Sequence, residues 1–235
     1  MIDFTEKSEY GFSDLVRLVA ALRGPGGCPW DQAQTHASIR RNFLEEAYEA
    51  CEAMDQNDPD HLREELGDVL LQVVFHAGIE ADAGRFDVDG VCDTVCRKLI
   101  DRHPHLFDSS RSRMDWEDLK RAQRGGQTVA QAMQGVSRAL PALWQADKLL
   151  AKAERSGLYP QDADDARREL TQQVAALGRA PEQESRACLG RALFALVRLA
   201  RCAGLDPETA LAETCQQFIG RFSQWEAAAS QAAKS

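Results

Sequence analysis

Eight prolines constrain this chain more than any other feature, because the segments between them have helix length and carry almost no strand signal. Proline lacks a backbone donor and clashes with the preceding turn, so it marks helix starts and boundaries. Pro25, Pro29, Pro59, Pro104, Pro141, Pro160, Pro181 and Pro207 divide the 235 residues into stretches rich in Ala, Leu, Glu, Gln and Arg. Those are helix formers, and no stretch alternates apolar and polar residues for long. The expectation is an all-α fold.

Residues 12–23 read as a first amphipathic helix, ended by Gly24-Pro25-Gly26-Gly27. Thr35 can cap a second helix running to about 56, with Ile39, Phe43, Ala47, Ala50 and Met54 inward. Asp58-Pro59 is a cap followed by a first-turn proline. It opens a third helix with an apolar stripe of Leu62, Leu66, Val69, Leu70, Val73 and Ala77, ending at Gly84. A fourth helix covers about 88–102 and stops at His103-Pro104. Four helices with short connections predict a bundle. The polar stretch around Gly125-Gly126 reads as a linker, after which helices resume near 137–156, 162–177, 182–203 and 207–229. The domain reading is a first module over 1–108, a linker over 109–136 and a second module over 137–235.

Charge separates the two halves. The formal net charge is −9, but residues 1–123 hold 25 acids against 14 bases while residues 124–235 hold 12 against 14. An acidic chain is not a non-specific nucleic-acid binder, although carboxylates can hold phosphates through bound Mg²⁺. No apolar run approaches the roughly 18–20 residues of a membrane span. The N-terminus lacks the basic and apolar regions of a signal peptide. Seven scattered cysteines with no CxxC pair suggest a reducing cytoplasm. Cys92 and Cys96, helical neighbours without partners, are expected to be ordinary buried thiols.

The acids concentrate between Leu44 and Leu71, where ten occur from Glu45 to Asp68. Glu46 and Glu49 sit three apart on the second helix, and Glu65 and Asp68 repeat that spacing on the third. The turn at Asp58-Pro59 makes these helices antiparallel neighbours, so the pairs can face one another, with Gly67 admitting a close approach. Four facing carboxylates raise one another's pKa unless a cation lies between them, and oxygen ligands suit Mg²⁺ or Mn²⁺. The alternative is a solvated acidic face. Against it, the pairs flank apolar positions and no lysine occurs from 44 to 71. A di-iron bundle would want Glu-x-x-His pairs; position 52 is Glu and position 68 is Asp.

The order GCPWD (27–31), Gln34-Thr35-His36, EExxE (45–49), ExxD (65–68) and KLxxRHPH (98–105) resembles the MazG family of nucleoside triphosphate pyrophosphohydrolases. That resemblance implies an all-α, Mg²⁺-dependent enzyme built on tight homodimers, which hydrolyses nucleoside triphosphates to monophosphate and pyrophosphate. It implies Glu46, Glu49, Glu65 and Asp68 as metal ligands, with Mn²⁺ as a substitute metal, and Glu45 as the residue that orients or deprotonates the attacking water. Lys98 and Arg102 would reach the phosphates, and Trp30 and Asp31 the nucleobase. Trp116 and Lys120 resemble a later WExxK segment of the family; His103 and His105 read as structural. Two or more metal ions on such carboxylates would neutralise the triphosphate, align water for attack at the α-phosphorus and stabilise the departing pyrophosphate.

Two-module members of the family invite a search for a repeat. A shift of 123 residues places Leu66-Gly67 on Leu189-Gly190, and Leu70, Leu71, Val73 and Val74 on Leu193, Phe194, Leu196 and Val197. Glu46 then falls on Glu169, but Glu49 becomes Gln172, Glu65 becomes Cys188 and Asp68 becomes Arg191. Near the end the shift becomes 119, where Arg102 meets Arg221 and Lys98 meets Gln217. The expectation is a live first module and a degenerate second one without catalytic metal. The rival reading is a catalytically silent helical protein that binds nucleotides or a partner.

Overall fold

The computed structural model describes residues 4–107, 128–159, 161–179 and 181–232. Among these residues there are helices and no strands. Trp116 and Lys120 lie outside them. The helices fall into two compact units. The first contains α1 (Phe12–Arg23), α2 (Pro29–Ala33), α3 (His36–Asp55), α4 (Pro59–Asp82), α5 (Val88–Arg102) and α6 (Pro104–Phe107). The second contains α7 (Val129–Gln134), α8 (Ala142–Arg155), α9 (Ala163–Leu177), α10 (Glu182–Cys202) and α11 (Pro207–Ala232). The short α7 falls within the stretch read from sequence as a linker.

In the first unit α3 and α4 pair along their length as a helical hairpin, with α1 and α5 against α4. Local chemistry sets the hairpin. The Thr35 hydroxyl accepts from the Ser38 N–H at 3.2 Å and starts α3. Asn57, at φ 53°, takes the left-handed turn conformation that asparagine tolerates. The Asp58 carboxylate then accepts from the Asp60 and His61 N–H groups, both at 3.1 Å, with Pro59 in the first turn of α4. Val19, Ile39, Val74, Phe75, Ala77 and Val88 form the buried core of this unit.

The second unit repeats the plan. α9 pairs with α10, α8 packs on α10, and α11 lies beside α8. Its buried apolar residues include Leu150, Ala166, Ala192, Ala195 and Val197. Asp162 caps α9 by accepting from two backbone N–H groups, as Asp58 caps α4.

Several expected core positions face outward. Leu66 and Leu70 are 47% and 38% exposed, whereas Glu65, Val74, Phe75, Ala77 and Glu80 are the buried residues of α4. Ala77 of the expected stripe is in the core and Leu62, Val69 and Val73 are half-buried, so spacing misplaced only Leu66 and Leu70 on a helix that is apolar on more than one side. On α3, Ala53 is buried while Met54 is exposed, because the inward face drifts from the 4-residue step toward 3. Gly67 makes no close approach, since a Cβ there would meet nothing within 4 Å. Cys92 and Cys96 are exposed and not buried, α5 having only Val88 inside.

Candidate functional site

The α3–α4 hairpin brings together residues nearly twenty positions apart in sequence. Glu46 and Glu49 project from α3 toward Glu65 of α4, and one carboxylate oxygen of each lies within 4.8 Å of the others. Glu49 is exposed, Glu46 half-buried and Glu65 buried. This is the one such cluster of metal-ligating side chains among the described residues. Asp68 stands one turn beyond Glu65 on α4, half-buried.

Electrostatics ties the four together. Burial, followed by the charges of Asp68, Glu49 and Glu65 and a hydrogen bond with Glu49, raises the Glu46 pKa above the ordinary carboxylate value. The Glu65 Oε1 lies 3.0 Å from His61 Nε2, while its Oε2 is buried without a hydrogen-bond partner. A buried carboxylate oxygen without a donor is costly, and a divalent cation among these oxygens would satisfy it and relieve the repulsion at Glu46. The donor set is all oxygen, which suits a hard cation. These residues therefore fit a divalent metal.

The remaining expected residues lie outside this cluster. Glu45 lies on the exposed side of α3, where Arg41 Nε donates to it at 3.0 Å. Lys98, exposed, and Arg102, half-buried, share α5, which packs on α4. Trp30 is 61% exposed on α2. Asp31 follows it, half-buried, with its backbone carbonyl accepting from Arg23 Nη1 at 2.8 Å. The ring of His103 bonds the Leu99 carbonyl through Nδ1 at 2.8 Å, a local helix-end contact.

Sequence reasoning passed over one polar cluster. His36, at the start of α3, reaches both His76 and Glu80 of α4, with Nδ1···Nδ1 at 2.7 Å and Nε2···Oε1 at 2.5 Å. Arg85 also bonds Glu80, so Arg85 and His36 together hold the Glu80 carboxyl down to about 2. The signal available was His36 in the QTH motif and His76 in line with the inner face of α4.

At the matching positions of the second unit the chemistry differs. Arg191, in the place of Asp68, donates from Nε to Gln173 at 2.9 Å and approaches the Cys188 sulfur at 3.5 Å. Glu169, in the place of Glu46, lies 3.5 Å from Arg198.

A family model for the MazG nucleotide pyrophosphohydrolase domain matches residues 34–107, the stretch that holds Glu46, Glu49, Glu65 and Asp68. The nucleoside triphosphate pyrophosphohydrolase/pyrophosphatase MazG of Thermotoga maritima is 38% identical over 218 residues, covering 92% of this chain and 85% of that protein. The nucleoside triphosphate pyrophosphohydrolase of Escherichia coli is 36% identical over 230 residues, covering 90% of this chain and 86% of its own. That of Mycolicibacterium smegmatis is 42% identical over 152 residues, 62% of this chain and 46% of its own length. With the helical hairpin, the carboxylate cluster and relatives matched nearly end to end, the chain is an enzyme that belongs to the MazG family of nucleotide pyrophosphohydrolases.

Proposed function

We propose that the first unit hydrolyses nucleoside triphosphates, ribo- or deoxyribo-, to the monophosphate and pyrophosphate, with Mg²⁺ held by Glu46, Glu49, Glu65 and Asp68. The observation that carries this reading is the convergence of three carboxylates within 4.8 Å, one of them with a buried oxygen lacking a donor. A bound Mg²⁺ supplies charge neutralisation for a triphosphate and Lewis-acid activation at phosphorus. The protein supplies the rest. Glu46 and Glu49 from α3 and Glu65 and Asp68 from α4 fix four ligands on two rigid elements, which keeps the site preorganised. Glu45 adjoins this set and accepts the proton of the attacking water. Its present partner, Arg41, is an exposed i,i+4 contact that is weak and readily exchanged. Lys98 and Arg102, one turn apart on α5, bind the phosphate oxygens as point charge and fork. Trp30 stacks on the base and Asp31 accepts from its edge.

The second unit is read as catalytically silent, because its corresponding positions are Glu169, Gln172, Cys188 and Arg191, with Arg198 already beside Glu169. Leu44 and Tyr48 on α3 and Leu66 and Leu70 on α4 are large hydrophobic residues left exposed, which supports pairing of two copies as a homodimer. The seven cysteines are all free, in keeping with a reducing cytoplasm, and no described helix is long and apolar enough to cross a membrane. The test is pyrophosphate release from the common and modified nucleoside triphosphates with and without Mg²⁺. Release that requires Mg²⁺ and yields the monophosphate supports the reading; no release from any of them by folded protein would leave a silent nucleotide-binding module.

A further inference from the structure

The segment that bears Trp30 is tied down far more heavily than an exposed connection requires. It leaves α1 through Gly27, where a Cβ would stand 2.2 Å from the Leu22 carbonyl oxygen, so only glycine fits. The Cys28 N–H bonds that same carbonyl at 2.8 Å. Within the segment, Gln32 Nε2 donates to the Gly24 carbonyl and Gln34 Nε2 to the Trp30 carbonyl, each at 2.8 Å. Two anchors then fix this ledge to α4. At one end Arg23, 7% exposed, lies over the Phe75 ring and donates to the Asp31 carbonyl and, at 2.7 Å, to Asp82. At the other end His36 is pinned between His76 and Glu80.

Resting on the functional reading above, we propose that His36 is a positioning residue for nucleotide capture. Through its contacts to His76 and Glu80 it fixes the Trp30 ledge relative to the carboxylate cluster. His36 precedes Glu46 by ten residues on the same helix, about 15 Å along its axis, so one rigid element carries both the end of the ledge and two of the acids. A ledge held rigidly lowers the ordering cost of binding. It does not touch the reacting phosphorus.

The proton count makes the anchor sensitive to acid. A carboxylate only accepts, so His36 Nε2 donates to Glu80, and the Nδ1···Nδ1 contact shares a single proton between the two rings. The pair therefore carries at most three ring protons while both bonds last. A fourth sets N–H against N–H at 2.7 Å and opens the anchor. The charged groups facing the pair are Glu80 from α4 and Arg85 from the turn beyond it; Phe43 of α3 offers only a ring edge to His76. From α1, Arg23 is engaged with Asp82 and Asp31. Burial, then the neighbouring His36, lowers the His76 pKa, so the anchor is intact above the ordinary histidine value and is lost as pH falls through the lower one.

The experiment compares wild type, His36→Ala and His76→Asn in steady-state pyrophosphate release from about pH 5.5 to 8, with hydrogen exchange of the 28–35 amides. An asparagine amide stands where Nδ1 stood and, by turning its oxygen or its nitrogen inward, accepts from or donates to His36 Nδ1 without titrating. His36→Ala should raise KM about tenfold while kcat changes less than about twofold, and should speed exchange over 28–35 while α4 stays protected. His76→Asn should keep KM near wild type at neutral pH and lose the part of the acid-side rise in KM that the wild type shows beyond the nucleotide's own titration. Equal kinetics and exchange in all three proteins, or a loss confined to kcat, would overturn the positioning role. No pyrophosphate release from folded wild type would instead overturn the functional reading beneath it.

Discussion

Two helical hairpins built on one plan differ in what they hold between their helices. In the α3–α4 hairpin the inner face carries Glu46, Glu49, Glu65 and Asp68; at the same places α9–α10 carries Glu169, Gln172, Cys188 and Arg191. The frame persists around the exchange. Val74 and Val197 are both buried, as are Phe75 and Arg198, and Glu65 and Cys188 are buried at one register. The first hairpin leaves a surplus of negative charge, visible in the raised proton affinity of Glu46 and the unpartnered oxygen of Glu65. The second closes its charge within itself, Arg198 bonding Asp165 at 2.8 Å and Arg191 reaching Gln173 and Cys188. One hairpin asks for a cation from outside, and the other contains its own.

The sharpest way to break this contrast is to remove one charge from each hairpin. Glu46→Gln keeps shape and takes away a ligand; we expect kcat/KM to fall by more than about 10³-fold, roughly 4 kcal/mol of transition-state stabilisation. Arg191→Ala should leave it within about twofold. Pyrophosphate release by the two variants measures both. A folded but inactive Arg191 variant would move the chemistry to the second unit.

Metal addition gives the next largest effect. Mg²⁺ at about a hundred times its dissociation constant should stabilise the folded chain by roughly 2.7 kcal/mol, read as a rise in melting temperature. The rise should vanish in Glu46→Gln and Glu65→Gln and persist in Arg191→Ala. An equal rise in all four proteins would place the metal somewhere other than the α3–α4 hairpin.

How much of this was legible in sequence depends on the kind of signal. Helix boundaries were read well because the caps are local: Thr35, Asp58 and the prolines act within a few residues. That Glu46, Glu49 and Glu65 meet was legible because i,i+3 spacing on neighbouring helices is a geometric statement in itself. Burial was harder. Leu66 and Leu70 belong to an apolar helix whose inward face is set by tertiary neighbours, so periodicity assigned them wrongly. The same holds for the Cys92–Cys96 pair. The His36–His76–Glu80 cluster joins positions forty and more apart through side-chain reach, which no spacing rule encodes.

The closure of charge in the second hairpin can be tested without reference to catalysis. Arg198, 5% exposed, spans Asp165 and Glu169 and lies over the Tyr159 ring at 4.6 Å. Truncation to alanine removes the packing of its stem as well as its charge, and should cost about 2–3 kcal/mol in chemical denaturation. Arg198→Phe installs the residue of the first hairpin at this register and should recover part of the loss by filling the space. A phenylalanine variant as unstable as the alanine one would mean that the ion pairs, and not the packing, hold α9 to α10.

The smallest effect discriminates most finely, because it concerns two glycines at equivalent places. Gly67 and Gly190 lie inside α4 and α10, and a Cβ at either meets nothing within 4 Å. Alanine in a helix interior is favoured over glycine by about 0.8–1 kcal/mol, so on the isolated chain each substitution should stabilise by that amount and the two should match. A second copy seated on the exposed Leu66–Leu70 face changes the first of them only. Gly67→Ala would then lose its gain and weaken self-association, while Gly190→Ala kept its own. Denaturation at two protein concentrations, with sedimentation for the oligomeric state, separates the cases. Equal gains with unchanged association would show that the α4 face near Gly67 is not where two copies meet.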